Sequence, residues 1–111
     1  MWICLNNSFV SIVEDWENQE NVYVRGRRLS DVLNFVGDGY QIIKTDSNDY
    51  RFRAKVTKFE LSKMLAKCAD KISYGNFKDS VKDPELKQFY TEVWGSGVRN
   101  LDPDWIKRRR R

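Results

Sequence analysis

Residues 50–61, YRFRAKVTKFEL, change their period half-way. Up to Val56 the residues alternate, which predicts a strand with Tyr50, Phe52, Ala54 and Val56 on one side and Arg51, Arg53 and Lys55 on the other. Thr57-Lys58-Phe59-Glu60 then forms a capping box, in which hydroxyl and carboxylate each take a free amide at a helix start. Leu61, Met64, Leu65, Cys68, Ala69 and Ile72 follow at helical spacing, predicting the longest helix over 58–72. A strand running directly into a helix is the unit of an α+β fold.

The preceding residues carry a related pattern. Residues 2–5 and 9–13 are apolar and flank Asn6-Asn7-Ser8, either as two strands of a hairpin or as one long strand with a bulge. Residues 14–21 are polar and acidic and read as a surface loop. Residues 22–27 alternate, with Val22 and Val24 opposite Tyr23, Arg25 and Arg27. Leu29, Val32, Leu33 and Val36 predict a short helix that ends at Gly37 and Gly39. Tyr40 to Lys44 is a further strand and residues 46–49 a turn.

Beyond the long helix, Tyr74-Gly75-Asn76-Phe77 suits a left-handed helix exit that folds two aromatics back on the apolar stripe. Asp83-Pro84 starts a third helix, whose stripe of Leu86, Phe89, Tyr90, Val93 and Trp94 is expected to end at Gly95. The expected architecture is one α+β domain over 1–95. An antiparallel sheet from two ββα units carries helices on one face, close to the ferredoxin-like group, with a third C-terminal helix. Residues 96–111 are expected to form an extended arm with a basic tail, Trp105 and Ile106 docking back.

With 111 residues, 41% of them hydrophobic and 14% aromatic, the chain is long enough for a core and unlike a disordered segment. No apolar run approaches the roughly 20 residues that cross a bilayer. The first residues show no basic leader or cleavage site, so a cytoplasmic location is expected. Cys4 and Cys68 are too few for a disulfide framework and are expected to be buried thiols.

Histidine is absent. That removes Cys/His zinc sites, Ser-His-Asp and Cys-His nucleophilic pairs, and His-based ribonuclease chemistry. The carboxylates at Asp46/Asp49, Asp102/Asp104 and Glu14/Asp15/Glu17 fall in turns and loops, where acids solvate or cap the backbone. Lys78-Asp79-Ser80 offers a hydroxyl beside an amine with no triad spacing. The expectation is therefore no catalytic residue, no metal and no cofactor, with a His-free nuclease as the enzymatic alternative.

The net charge of +4 misleads. Lys107 to Arg111 hold five of the 20 basic residues, leaving fifteen against 16 acids and a net of −1. The body's charge is uneven: residues 1–20 hold four acids and no base, whereas residues 21–73 hold eleven bases and six acids. One sheet would gather Arg25, Arg27, Arg51, Arg53 and Lys55 on the side away from the helices, with Tyr23 among them as a stacking ring. These residues, with Lys107, Arg108 and Arg109 of the tail, are the candidate surface for nucleic acid or another polyanion, or for an acidic protein. The competing reading is an ordinary solvated face neutralised by the acidic loop at Glu14, Asp15, Glu17 and Glu20. Tyr74, Phe77 and Lys78 are the candidates for docking a protein partner.

The stretches Trp2-Ile3-Cys4-Leu5-Asn6, Phe9-Val10-Ser11-Ile12-Val13, Val24-Arg25-Gly26-Arg27-Arg28, Asp49-Tyr50-Arg51-Phe52-Arg53-Ala54 and Tyr74 to Val81 resemble a group of small uncharacterised proteins of bacteria and their phages. The likeness runs from Trp2 to Trp94 and brings no activity with it. It implies a bacterial or phage protein of the cytoplasm. It also raises a rival function, a stoichiometric, anti-CRISPR-like inhibitor that binds a host defence protein.

Overall fold

The computed structural model describes residues 1–109; the last two arginines of the tail lie outside them. β1 (Trp2–Leu5) and β2 (Ser8–Glu14) form a hairpin, and β3 (Asn21–Gly26) follows. Next come α1 (Leu29–Val36), β4 (Ile42–Lys44), β5 (Phe52–Thr57) and α2 (Lys58–Asp70). The chain ends in α3 (Phe77–Ser80), α4 (Pro84–Leu101) and α5 (Trp105–Arg109). All neighbouring strands are antiparallel, in the order β1-β2-β3-β5-β4. The α+β class is as expected. The repeat is unequal, however: three strands precede α1 and two precede α2, because Asn6-Asn7 closes a true hairpin. This order is not the βαββαβ of the ferredoxin-like group.

One face of the sheet holds the main core. Val10, Val24, Val32 and Ala54 are wholly shielded, and Ile12, Val22, Phe35, Val36, Val56 and Leu61 complete the layer under α1 and α2. Each buried valine contributes about 2 kcal/mol of hydrophobic free energy. The α1 stripe is rotated from the expected one. Asp31, Val32, Phe35 and Val36 face inward while Leu29 and Leu33 stay half exposed. Gly26 lets α1 come this close, because a Cβ there would lie 2.9 Å from Val32 Cγ2. Gly37, at φ 75°, ends α1 as expected and gives its amide to Leu33 O.

The Thr57/Glu60 capping box forms in full. α2 stops at Asp70, leaving Ile72 exposed. Gly75 has no positive φ, so no left-handed exit occurs there; Asn76 instead caps α3, its Oδ1 accepting from the Asp79 amide at 3.1 Å. Nor does Gly95 end the third helix. The intrahelical ladder outweighs the low propensity of two glycines, and α4 runs on to Leu101. The expected extended arm is thus helical, and Trp105 of α5 packs edge-on against Trp94 at 5.6 Å.

Leu86 and Tyr90 of α4 join Phe9, Tyr50 and Val81 in a second, smaller core. Tyr50 therefore sides with Phe9 and not with Ala54 and Val56, because β5 begins only at Phe52 and the alternation has no hold on the residue before it. The Tyr90 hydroxyl lies 2.8 Å from Leu5 O and 2.9 Å from Ser8 O, pinning α4 to the β1–β2 turn. Burial pushes this hydroxyl up, so it stays protonated and able to donate. Tyr90→Phe, which strips two carbonyls of their donor, is expected to cost about 1–2 kcal/mol in urea unfolding.

Candidate nucleic-acid interface

The face of the sheet opposite α1 and α2 has a defined layout, because strand register sets which side chains meet. Trp2 stands opposite Ser11, Ser11 opposite Arg25, Arg25 opposite Arg53, and Arg53 opposite Ile43. These five residues form one line across all five strands. Opposed residues in antiparallel strands share a face, and Val10, Ile12, Val24 and Ala54 take the other. The next line holds Val13, Tyr23 and Lys55. Trp2 is 74% exposed and Ile43 46%, whereas Arg25, Tyr23 and Arg53 are half-buried.

The two central arginines are held in ways that leave their charge uncompensated. Arg25 donates from Nη2 to Ser11 Oγ at 2.7 Å, and its Cζ lies 4.7 Å from the Tyr50 ring centre. Arg53 lies 5.5 Å from the Tyr23 ring. Among the described residues, neither has a carboxylate within ion-pair distance. Their Nε–H groups are shielded from solvent with no acceptor among the described residues. Like charges set directly opposite in a ladder are unfavourable, as is a buried donor without a partner. The fold gains little from this pair.

The expected members of the face divide three ways. Tyr23, Arg25, Arg53 and Lys55 lie together on the sheet as expected. Arg27 and Arg51 fall one residue beyond the ends of β3 and β5, and Arg27 shares the Tyr50 ring with Arg25. Arg27 stacks on Tyr50 at 4.4 Å and donates to Asp49 O at 2.9 Å, while Arg51 lies 4.0 Å from Asp46. The tail residues belong to α5. Arg108 is clamped by both oxygens of Asp102 at 2.6 Å, which lowers the Asp102 carboxyl and raises the guanidinium. Arg109 lies 5.1 Å from the Trp105 ring, and Lys107 is exposed.

The acidic loop neutralises part of the surface. Asp15 is buried although the loop composition marks it as solvent-facing; its Oδ1 accepts from the Glu17 amide at 3.0 Å and its Oδ2 meets Lys55 Nζ at 3.3 Å. The Glu17 amide bond first, and Lys55 with it, hold the Asp15 carboxyl low against the effect of burial. Asp15 in turn raises the Lys55 ammonium. Glu14 turns to the helix side and pairs with Lys58 at 2.7 Å. The loop therefore reaches Lys55 and stops short of the arginines.

Tyr74, Phe77 and Lys78 line up beside α4. Phe77 packs between Tyr74 at 5.7 Å and Tyr90 at 5.3 Å, and Lys78 Nζ lies 4.2 Å from the Trp94 ring. The Phe77–Tyr90 and Lys78–Trp94 contacts join α3 to α4. Cys4 is exposed and Cys68 half-buried, so the expected buried thiols are not found; Cys4 lies on the edge strand β1 opposite Phe9, beside Phe77 and Tyr90. Among the described residues no three His, Cys, Asp or Glu side chains are grouped to hold a metal ion, and no helix is long and apolar enough to cross a membrane.

Trp2 and Ile43 are the residues of this surface that the pattern of the chain does not reveal. Residues 2–5 are apolar throughout, so period two does not say which side each takes; only the pairing of Trp2 with Ser11 does. Comparison with protein-family models, curated proteins and solved structures finds no match.

Proposed function

We propose that this protein is a non-enzymatic binding module of the cytoplasm that holds nucleic acid or a similar polyanion on its open sheet face. The observation that carries the reading is the opposed Arg25–Arg53 pair, which no carboxylate meets among the described residues. Two crowded guanidinium groups that cost the fold free energy are relieved by phosphate, which accepts from both in charge-assisted bonds. Phosphate binding of this kind releases counterions, so retention falls steeply with salt.

The test is protein purified at low salt. Co-eluting nucleic acid that raises the 260/280 absorbance ratio and is stripped by salt supports the reading; filter binding that retains neither RNA nor DNA at low salt ends it. A refinement concerns Lys55. Asp15→Asn keeps the acceptor for the Glu17 amide and frees the ammonium, so the salt slope of binding is expected to steepen by about 0.7 for one added phosphate contact on a single strand. An unchanged slope would show that Lys55 takes no part.

A second reading is a stoichiometric inhibitor of the phage type that docks on a host defence protein. It draws on Val93 and Trp94, each about half exposed beside Lys78. A complex that survives high salt and contains no nucleic acid distinguishes it from the first.

A further inference from the structure

Resting on the reading above, we infer that the ligand is a single-stranded nucleic acid laid across the strands, with a base stacked on Trp2 and phosphates on Arg25 and Arg53. The line Trp2–Arg25–Arg53–Ile43 presents an aromatic ring, two guanidinium groups and an aliphatic side chain in order, with Ser11 covered beneath Arg25. It crosses four inter-strand gaps, about 19 Å. That length matches on the order of five nucleotides of a stacked strand.

Three features favour a single strand over a duplex. Trp2 offers a large exposed ring, with the Phe9 ring edge-on at 6.2 Å. Unpaired bases have free faces to stack on such a ring, whereas a duplex turns its phosphates outward and keeps its base faces covered. Ile43 and Val13 flank the cations, and a duplex backbone would desolvate against them without gain. The direction is set by charge. The β2–β3 turn carries the exposed Glu17 and Glu20 beyond the Val13–Tyr23–Lys55 line, repelling a backbone that ran along the strands to that end. The free path runs across the strands.

The experiment is fluorescence anisotropy with labelled twelve-nucleotide single strands of RNA and DNA and with the matched duplexes. It uses the full chain, Trp2→Ala and Trp2→Phe, with thermal melts to confirm folding. Expected are at least about tenfold tighter binding of a single strand than of the duplex, a loss of about tenfold or more in Trp2→Ala confined to single strands, and recovery in Trp2→Phe. Equal affinity for duplex and single strand, or unchanged single-strand binding by Trp2→Ala, would overturn the inference while leaving the polyanion reading in place. No binding of any of the four probes by the parent chain would overturn both.

Discussion

Arg25→Gln with Arg53→Gln is expected to weaken nucleic-acid binding by about a hundredfold or more while leaving the fold intact. Each arginine offers a charge-assisted contact of about 1.5–3 kcal/mol, so the loss of two is the largest functional effect a pair of substitutions on this face can have. The salt slope should fall with it, by about 1.4 for a single strand. Glutamine is the informative replacement, because two glutamates would set like charges opposite each other again. Stability gives the contrasting readout. Removing the opposed charges gains about 0.2–1 kcal/mol, and losing the stacking of Arg25 on Tyr50 costs about 0.5–1, so the two nearly cancel. A drop of several kcal/mol in urea unfolding would instead make the arginines structural.

The largest effect on stability is expected at Arg28. Its Nη2 and Nε meet the two oxygens of Asp31 at 2.8 and 3.0 Å, and its Nη1 meets Asp83 at 2.8 Å and Glu85 at 3.1 Å. One guanidinium thus joins the start of α1 to the start of α4. The Asp31 side chain is only 5% exposed. Arg28→Ala would leave that carboxylate buried without its cation, a change that costs about 3–5 kcal/mol. Arg28→Ala with Asp31→Ala should recover a large part of the loss, a coupling that a double-mutant cycle measures. Acid should act on the same clamp. Burial alone would raise the Asp83 carboxyl, but the Arg28 bond and the Leu86 and Glu85 amides outweigh it, so its value falls below the ordinary 3.8. A depressed carboxyl stabilises the fold above that ordinary value, and the contribution is lost as pH falls through the lowered one. Less acid sensitivity below pH 3.8 in the Arg28 variant would bear this out.

The local parts of this fold are written in short-range patterns. Thr57 and Glu60 announce α2, Asp83-Pro84 announces α4, and Val22/Val24 and Ala54/Val56 mark the core side of β3 and β5. The same alternation puts Tyr23, Arg25, Arg53 and Lys55 on the opposite side. It misleads where a ladder ends. Arg27, Tyr50 and Arg51 lie one or two residues outside their strands, and their directions follow loop and side-chain contacts. Gly95 and Gly97 mislead for the opposite reason, since the hydrogen bonds of an established helix carry it across two poor helix formers. The Trp2 and Ile43 ends of the surface depend on long-range pairing, as do the partners of Asp15 and Arg28; none of these has a local signature.

Backbone amide shifts in a 1H–15N correlation spectrum, followed as a short single-stranded oligonucleotide is added at low salt, locate the binding surface residue by residue. Expected are progressive shifts at Trp2, Ser11, Tyr23, Arg25, Ile43 and Arg53, reversed by salt, with α1 and the buried side of α2 silent. Shifts confined to Lys107–Arg109 or to the Tyr74–Lys78 segment, with the sheet unmoved, would contradict the assignment of the open face as the site.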